Sequence, residues 1–191
     1  MAEKLNDKEK RFLLETARKA VSEYLKQGKR LDLKPGEVPS KKLTEKGACF
    51  VTIYKGEELR GCIGSLEAAR PLVFDVIDNA LNAAFGDPRF FQLTQDELPQ
   101  VRFSISVLTK PEKLEVKDAD DLMKKLVPRK HGLIIQKGYA RSTFLPAVWE
   151  QLPDKKEFLA HLCMKAGLGP MEWSDTRGME FQVYEADEFS E

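Results

Sequence analysis

The sequence predicts an α+β fold, and three observations carry that expectation. Residues 101–107 alternate, with Val101, Phe103, Ile105 and Val107 on one face and Arg102, Ser104 and Ser106 on the other. Such unequal faces suit an antiparallel sheet rather than a parallel sheet buried on both sides. Residues 48–54 and 59–63 are strand-like runs flanking Lys55-Gly56-Glu57-Glu58, the pattern of a hairpin with a four-residue loop. Amphipathic helical stripes interrupt the strands irregularly instead of in a βαβ repeat.

Along the chain, Asn6 and Glu9 have capping-box spacing, and Leu13, Ala17, Ala20, Val21, Tyr24 and Leu25 form one apolar stripe ending at Gly28. Residues 29–46, with Pro35-Gly36 and Pro39-Ser40, have the composition of an exposed connector without a helix. A second helix starts at Pro71, its first helical residue, and buries Leu72, Val73, Val76, Ile77, Ala80, Leu81 and Ala84. Asp87-Pro88-Arg89-Phe90-Phe91 leaves that helix as a fixed turn, because Pro88 removes a backbone donor and biases Asp87 away from helical geometry. Further on, a short strand is expected at 114–116, a helix at 120–126, strands at 132–136 and 140–145, and a helical turn from Pro146. Asp154 and Glu157 cap a last helix with Phe158, Leu159, Leu162, Cys163 and Ala166 buried, and a final strand covers 179–184.

The chain has 191 residues, 42% hydrophobic, with 31 basic and 31 acidic side chains. A chain of this length buries about 70% of its unfolded surface and so builds a real core. Net neutrality argues against nucleic-acid binding, which needs a basic field to displace counterions. No run approaches the ~20 apolar residues of a membrane span, and residues 1–10 lack the pattern of a secretory signal. Three unspaced cysteines read as free thiols, so a cytoplasmic location is expected, with no membrane partner. No CxxC or HxxxH pair occurs, and His161 and Cys163 lie about 200° apart on a helix, so no metal is expected.

The most unusual segment is Leu59-Arg60-Gly61-Cys62-Ile63-Gly64. In an extended chain Arg60, Cys62 and Gly64 share a face, which sets a cation beside a thiol. A neighbouring guanidinium favours thiolate, and glycines leave backbone open to close approach or mark a bulge. The bland alternative is a small buried cysteine in a glycine-lined turn. Neither histidine is an obvious partner base: His161 lies off its helix's apolar stripe, and His131 suits a turn role. Arg60, Arg89 and Arg141 are candidates for a small cationic pocket. The spacing of Gly61 and Gly64 does not make a phosphate loop.

This hexapeptide resembles the hallmark of the AMMECR family, named for the Alport syndrome, midface hypoplasia and elliptocytosis chromosomal region and known in microbes as AmmeMemoRadiSam system protein A. The resemblance extends through Asp87-Pro88-Arg89-Phe90, Ser106-Val107-Leu108, Gly132-Leu133-Ile134-Ile135, Phe144-Leu145-Pro146 and Leu162-Cys163-Met164-Lys165-Ala166-Gly167, nearly the whole chain. One departure is His131, at a position expected to be variable and polar, which makes it a poor carrier of a shared function. The resemblance implies a single domain of two lobes, each with an antiparallel sheet and packed helices. The larger lobe would comprise about 1–111 plus 171–191, and the smaller inserted lobe about 112–170. The hexapeptide would lie on a strand and its preceding loop, facing a cleft between the lobes.

The resemblance supplies a site without a reaction. The expected catalytic residues are Cys62, as nucleophile or covalent acceptor, and Arg60, as its electrostatic activator. Gly61, Gly64, Ser65, Asp87, Arg89 and Phe90 are expected to shape the substrate cleft. The name of the microbial system implies a Memo-like protein and a radical-SAM enzyme as partners. This chain carries no cluster motif or other cofactor signature of its own and would be an accessory component. Two functions stay open: a thiol-dependent enzyme acting on a bulky substrate, and a non-catalytic adaptor that binds a partner protein through the same cleft.

Overall fold

A computed structural model describes residues 5–34 and 36–191. Met1–Lys4 and Pro35 lie outside the described residues, so the first half of the Pro35-Gly36 turn signal does too. The chain divides into two units: one runs to Leu108 and takes back Asp187–Glu191, and the other is Thr109–Ala186. The division differs from the expected one, since residues 171–186 fall in the second unit. The reason is strand pairing, described below.

In the first unit, α1 (Asp7–Gln27) begins with a complete capping box between Asn6 and Glu9 and ends on Gly28, whose N–H donates to the Tyr24 carbonyl. The connector after it is less exposed than its composition implies. Leu31 and Leu43 are buried, and Ser40 caps a 3-10 turn at Lys41–Thr44 that inserts Leu43 into the core. The strands are β1 (Lys46–Lys55), β2 (Glu58–Gly64) and the two-residue β3 (Arg70–Pro71). Lys55 pairs directly with Glu58, so the hairpin turn holds Gly56-Glu57 alone, two residues shorter than expected. Helix α2 (Leu72–Phe85) follows, with Pro71 as its N-cap rather than its first helical residue.

Strand β4 (Val101–Leu108) has its apolar residues on the α1/α2 side, and Val51, Ile53, Phe103, Ile105, Leu13, Ala17, Val73 and Val76 share one core. The second unit contributes β5 (Glu112–Lys113), α3 (Ala119–Lys125), β6 (Gly132–Lys137), β7 (Ala140–Phe144), α4 (Lys155–Lys165) and β8 (Glu180–Tyr184). The chain then closes with β9 (Ala186–Ser190). The first sheet runs β2-β1-β4-β9, with β3 attached to β1, and the second runs β5-β8-β6-β7. The β1–β2, β1–β3, β1–β4, β5–β8, β6–β7 and β6–β8 pairings are antiparallel.

The β8 pairing with β5 and β6 places residues 180–184 in the second unit. The expected strand at 114–116 is instead Glu112–Lys113, after which Leu114 N–H still reaches the Phe181 carbonyl. Asp154 caps α4 by accepting from the N–H groups of Lys156 and Glu157. That helix buries Phe158, Leu162 and Cys163 with Trp149, Trp173, Leu133 and Phe181. Strand β9 has no counterpart in the sequence reading. It lies beside β4, with Glu191 N–H donating to the Phe103 carbonyl.

Candidate functional site

The hexapeptide lies within β2, whose one partner in its sheet is β1. Ile53 pairs with Gly61 and Tyr54 with Leu59, so Arg60 has no opposite residue and forms a bulge. The glycines on either side of Cys62 answer to two different close approaches. A Cβ on Gly61 would lie 2.1 Å from the Ala83 carbonyl oxygen, so β2 can meet the last turn of α2 only without a side chain there. A Cβ on Gly64 would lie 2.2 Å from the Phe50 ring, which covers the sheet face at that point.

Cys62 is half-buried, whereas Cys49 and Cys163 are fully buried. Its register partner is Thr52, whose Oγ1 donates to Sγ at 3.2 Å. The outer edge of β2 is closed by side chains in place of a further strand. Cys62 N–H donates to Asp87 Oδ2 at 2.9 Å, and its carbonyl accepts from Arg89 Nη2 at 3.3 Å. These outward-facing backbone groups make Cys62–Thr52 a non-hydrogen-bonded pair, the type in which side chains approach closest.

Asp87 reaches this position because the chain folds back over the end of α2, where Leu93 N–H donates to the Ala84 carbonyl and Phe90 N–H to the Asp87 carbonyl. Its Oδ1 accepts from Arg89 N–H at 3.1 Å and Nε at 2.9 Å, and its Oδ2 from Nη2 at 2.7 Å. Arg89, then the Cys62 amide, hold the Asp87 carboxyl far below the usual carboxylate range against the opposing effect of burial. Arg89 is itself raised, chiefly by its hydrogen bonds to Asp87 and to a smaller extent by the Cys62 sulfur. Its guanidinium also sits 5.4 Å from the Phe90 ring.

Arg60 is engaged elsewhere than expected. Nε and Nη2 grip Glu97 at 3.2 and 3.0 Å, while Nη1 donates to the Phe91 carbonyl at 2.8 Å and Nη2 reaches that of Gln92 at 3.4 Å. Its guanidinium therefore ties the 91–97 loop to the bulge, and the guanidinium that bonds to Cys62, through its carbonyl, is that of Arg89. Arg60, with Thr94 and Lys55, holds the Glu97 carboxyl at about 2. Because that value lies below the ordinary carboxylate pKa, the stabilisation is complete above pH ~4.3 and fades as pH falls toward the folded value. Glu97→Gln is expected to cost roughly 1–2 kcal/mol at neutral pH. In denaturant titrations the gap from wild type should narrow at pH 3, and a gap unchanged with pH would contradict this role.

Ser65 belongs to a buried polar group that sequence reasoning missed. Its Oγ donates to Asp75 Oδ1 at 2.9 Å and accepts from Asn79 Nδ2 at 3.1 Å. Asp75 also accepts from Cys49 N–H at 3.0 Å and from Asn79 at 3.0 Å. The signal was present: Asp75 and Asn79 are polar residues four apart on the buried side of α2. Thr52 was also missed, since its place opposite Cys62 follows only from the hairpin register. Arg141 lies on β7 of the second unit. His131 has the expected turn role, its Nδ1 accepting from Val127 N–H at 3.2 Å and its carbonyl from Trp149 Nε1–H at 2.8 Å. Among the described residues no helix is long and apolar enough to cross a membrane, and no group of three His, Cys, Asp or Glu could hold a metal ion.

Residues 14–189 match the family model described as AMMECR1. The chain belongs to the AMMECR1 family. An archaeal relative called Protein MK0488, from Methanopyrus kandleri, is 42% identical over 100% of this chain and 92% of its own. Protein SSO0193 from Saccharolobus solfataricus is 43% identical over 91% of this chain and 78% of its own. The crystal structure of Uncharacterized Protein PH0010 from Pyrococcus horikoshii superposes with a TM-score of 0.90 at 36% identity, covering 98% of this chain and 93% of that one. The AMMECR1 family and the α+β fold with two antiparallel sheets are thus established. In this AMMECR1 chain the residues expected to shape a substrate cleft divide in two: Gly61, Asp87 and Arg89 fix the backbone of Cys62, and Ser65 anchors the segment after it.

Proposed function

We propose that this protein is a thiol-dependent enzyme in which Cys62 is the nucleophile or covalent acceptor for a bulky substrate. The observation that carries the proposal is a half-buried sulfur with a hydroxyl donor 3.2 Å away, on a strand whose outer edge is held by Asp87 and Arg89. A hydroxyl hydrogen bond holds the sulfur in one orientation, and a guanidinium bonded to the Cys62 backbone can meet an anionic group on the substrate. A fixed backbone keeps the thiol from shifting as a bond forms. In this reading Arg89 supplies the favourable charge and Arg60 is a positioning residue that secures the bulge. A cytoplasmic setting and a Memo-like or radical-SAM partner belong to the same proposal.

Labelling the native protein with iodoacetamide tests it. The expected result is one adduct, on Cys62, with Cys49 and Cys163 spared by burial. Cys62→Ala should abolish both the adduct and turnover in native extract while the circular dichroism spectrum stays that of wild type. An unreacted Cys62 in the folded protein would remove the proposal.

A second reading, the non-catalytic adaptor, is favoured by Phe91, which is 94% exposed on the loop tied down by Arg60. An immobilised Memo-like protein separates the two. An adaptor loses capture with Phe91→Ala and keeps it with Cys62→Ala, whereas the enzyme loses its product with Cys62→Ala.

A further inference from the structure

We propose that the face of the first sheet that carries Cys62 binds an oxyanion, the carboxylate or phosphate of an anionic substrate, through Arg102. This rests on the reading of Cys62 as the reacting group and adds the charge of what reacts with it. Cys62, Thr52 and Ser104 form one row across β2, β1 and β4, and Tyr54 and Arg102 form part of the next row on the same face. Rows on one face are about 7 Å apart. The Arg102 guanidinium carbon lies 4.7 Å from the Tyr54 ring centroid, which holds the cation over β1.

Among the described residues Arg102 makes no ion pair, and the carboxylate on this face, Glu188, accepts from Ser104 at 3.3 Å in the neighbouring row. Arg18, Arg30, Arg60, Arg70, Arg89 and Arg177 each pair with a carboxylate. Arg102 is half-buried, and among the described residues no carboxylate pairs with it. A partly desolvated cation without a counter-charge gains most from an incoming anion, and a stacked guanidinium presents its N–H edge for bidentate binding of a carboxylate or phosphate. Phe50, lying where a Gly64 side chain would be, supplies an apolar wall one row beyond the thiol on the other side. The thiol and the Arg102 guanidinium, which lies over Tyr54 on the neighbouring strand and row, thus share one face, which suits a substrate carrying both an electrophilic centre and an anionic group.

The test compares alkylation of Cys62 by anionic iodoacetate and neutral iodoacetamide, with free cysteine as the reference for the rate ratio. Net neutrality removes a general field, and because Arg89 beside Cys62 also favours the anionic reagent, the share of Arg102 is read from its variants. The native protein should raise the iodoacetate-to-iodoacetamide ratio about tenfold over free cysteine. Arg102→Gln should lower it severalfold toward the reference and Arg102→Lys should keep part of it, while Arg11→Gln, on α1, leaves it unchanged. A native ratio equal to that of free cysteine overturns the proposal without needing any variant, as does a raised ratio that Arg102→Gln leaves unchanged.

If Cys62 reacts with neither reagent, the enzyme reading falls, and the anion site is then read directly. Inorganic phosphate and acetate are titrated separately into the native protein and followed by the NMR signal of the Arg102 Nε–H. A saturable shift supports the site and the stronger of the two anions identifies the group, whereas no shift with either overturns it.

Discussion

Asp87→Ala is expected to lower the stability of the first unit by about 3 kcal/mol at neutral pH, because a buried acceptor of charge-assisted hydrogen bonds is lost. Arg89 is 55% exposed, so its share is partly screened and the larger share comes from leaving Cys62 N–H and Arg89 N–H without their acceptor. The pH dependence follows from the depressed Asp87 carboxyl. Its contribution is complete above the unfolded carboxylate pKa of ~3.9 and is lost as pH falls through the lower folded value. Urea titrations should therefore show a constant gap between wild type and variant from pH 7 to about 5 and a smaller gap below about 4. The same substitution frees the outer edge of β2, so alkylation of Cys62 should become less uniform and faster by unfolding. A variant as stable as wild type at pH 7 would mean that the edge is held by something other than this carboxylate.

Gly61→Ala should be the most damaging single methyl in the chain. The new Cβ would meet the Ala83 carbonyl oxygen at 2.1 Å and its carbon at 3.0 Å, both backbone atoms of α2 that cannot rotate away. Separating strand from helix breaks the packing of Val51, Ile53, Val76 and Ala80, for a cost of about 3 kcal/mol or more. Gly64→Ala is the useful contrast. Its Cβ would meet a Phe50 ring that can swing aside, so roughly 1–2 kcal/mol is expected. Unfolding midpoints of the two variants check the order, and Gly61→Ala proving the milder would refute the close approach of β2 to α2.

Much of the fold was legible because it is written in local patterns. The capping box of α1, the stripe of α2 and the alternation of β4 each need only a few neighbouring residues to be read. What depends on distant partners was not legible. Leu43 looked like part of an exposed connector because nothing nearby shows that a core awaits it. Strand β9 is short and half polar, and its identity comes from β4. At the site, Cys62 and its glycines stood out by composition, yet the contacts of Arg60 were not legible. Strict alternation puts Arg60 beside the thiol, whereas a bulge at that residue and the carboxylate of Glu97 take the guanidinium to the 91–97 loop. Asp87 and Arg89 were picked out as shaping the site, and their actual contacts with the Cys62 backbone required coordinates.

Strands β4 and β9 lie side by side, and everything between Leu108 and Asp187 is the second unit. In evolutionary terms that unit occupies the place of a hairpin loop. Insertions or deletions in the loops of that unit are therefore expected to leave the pairing of the cysteine-bearing sheet intact.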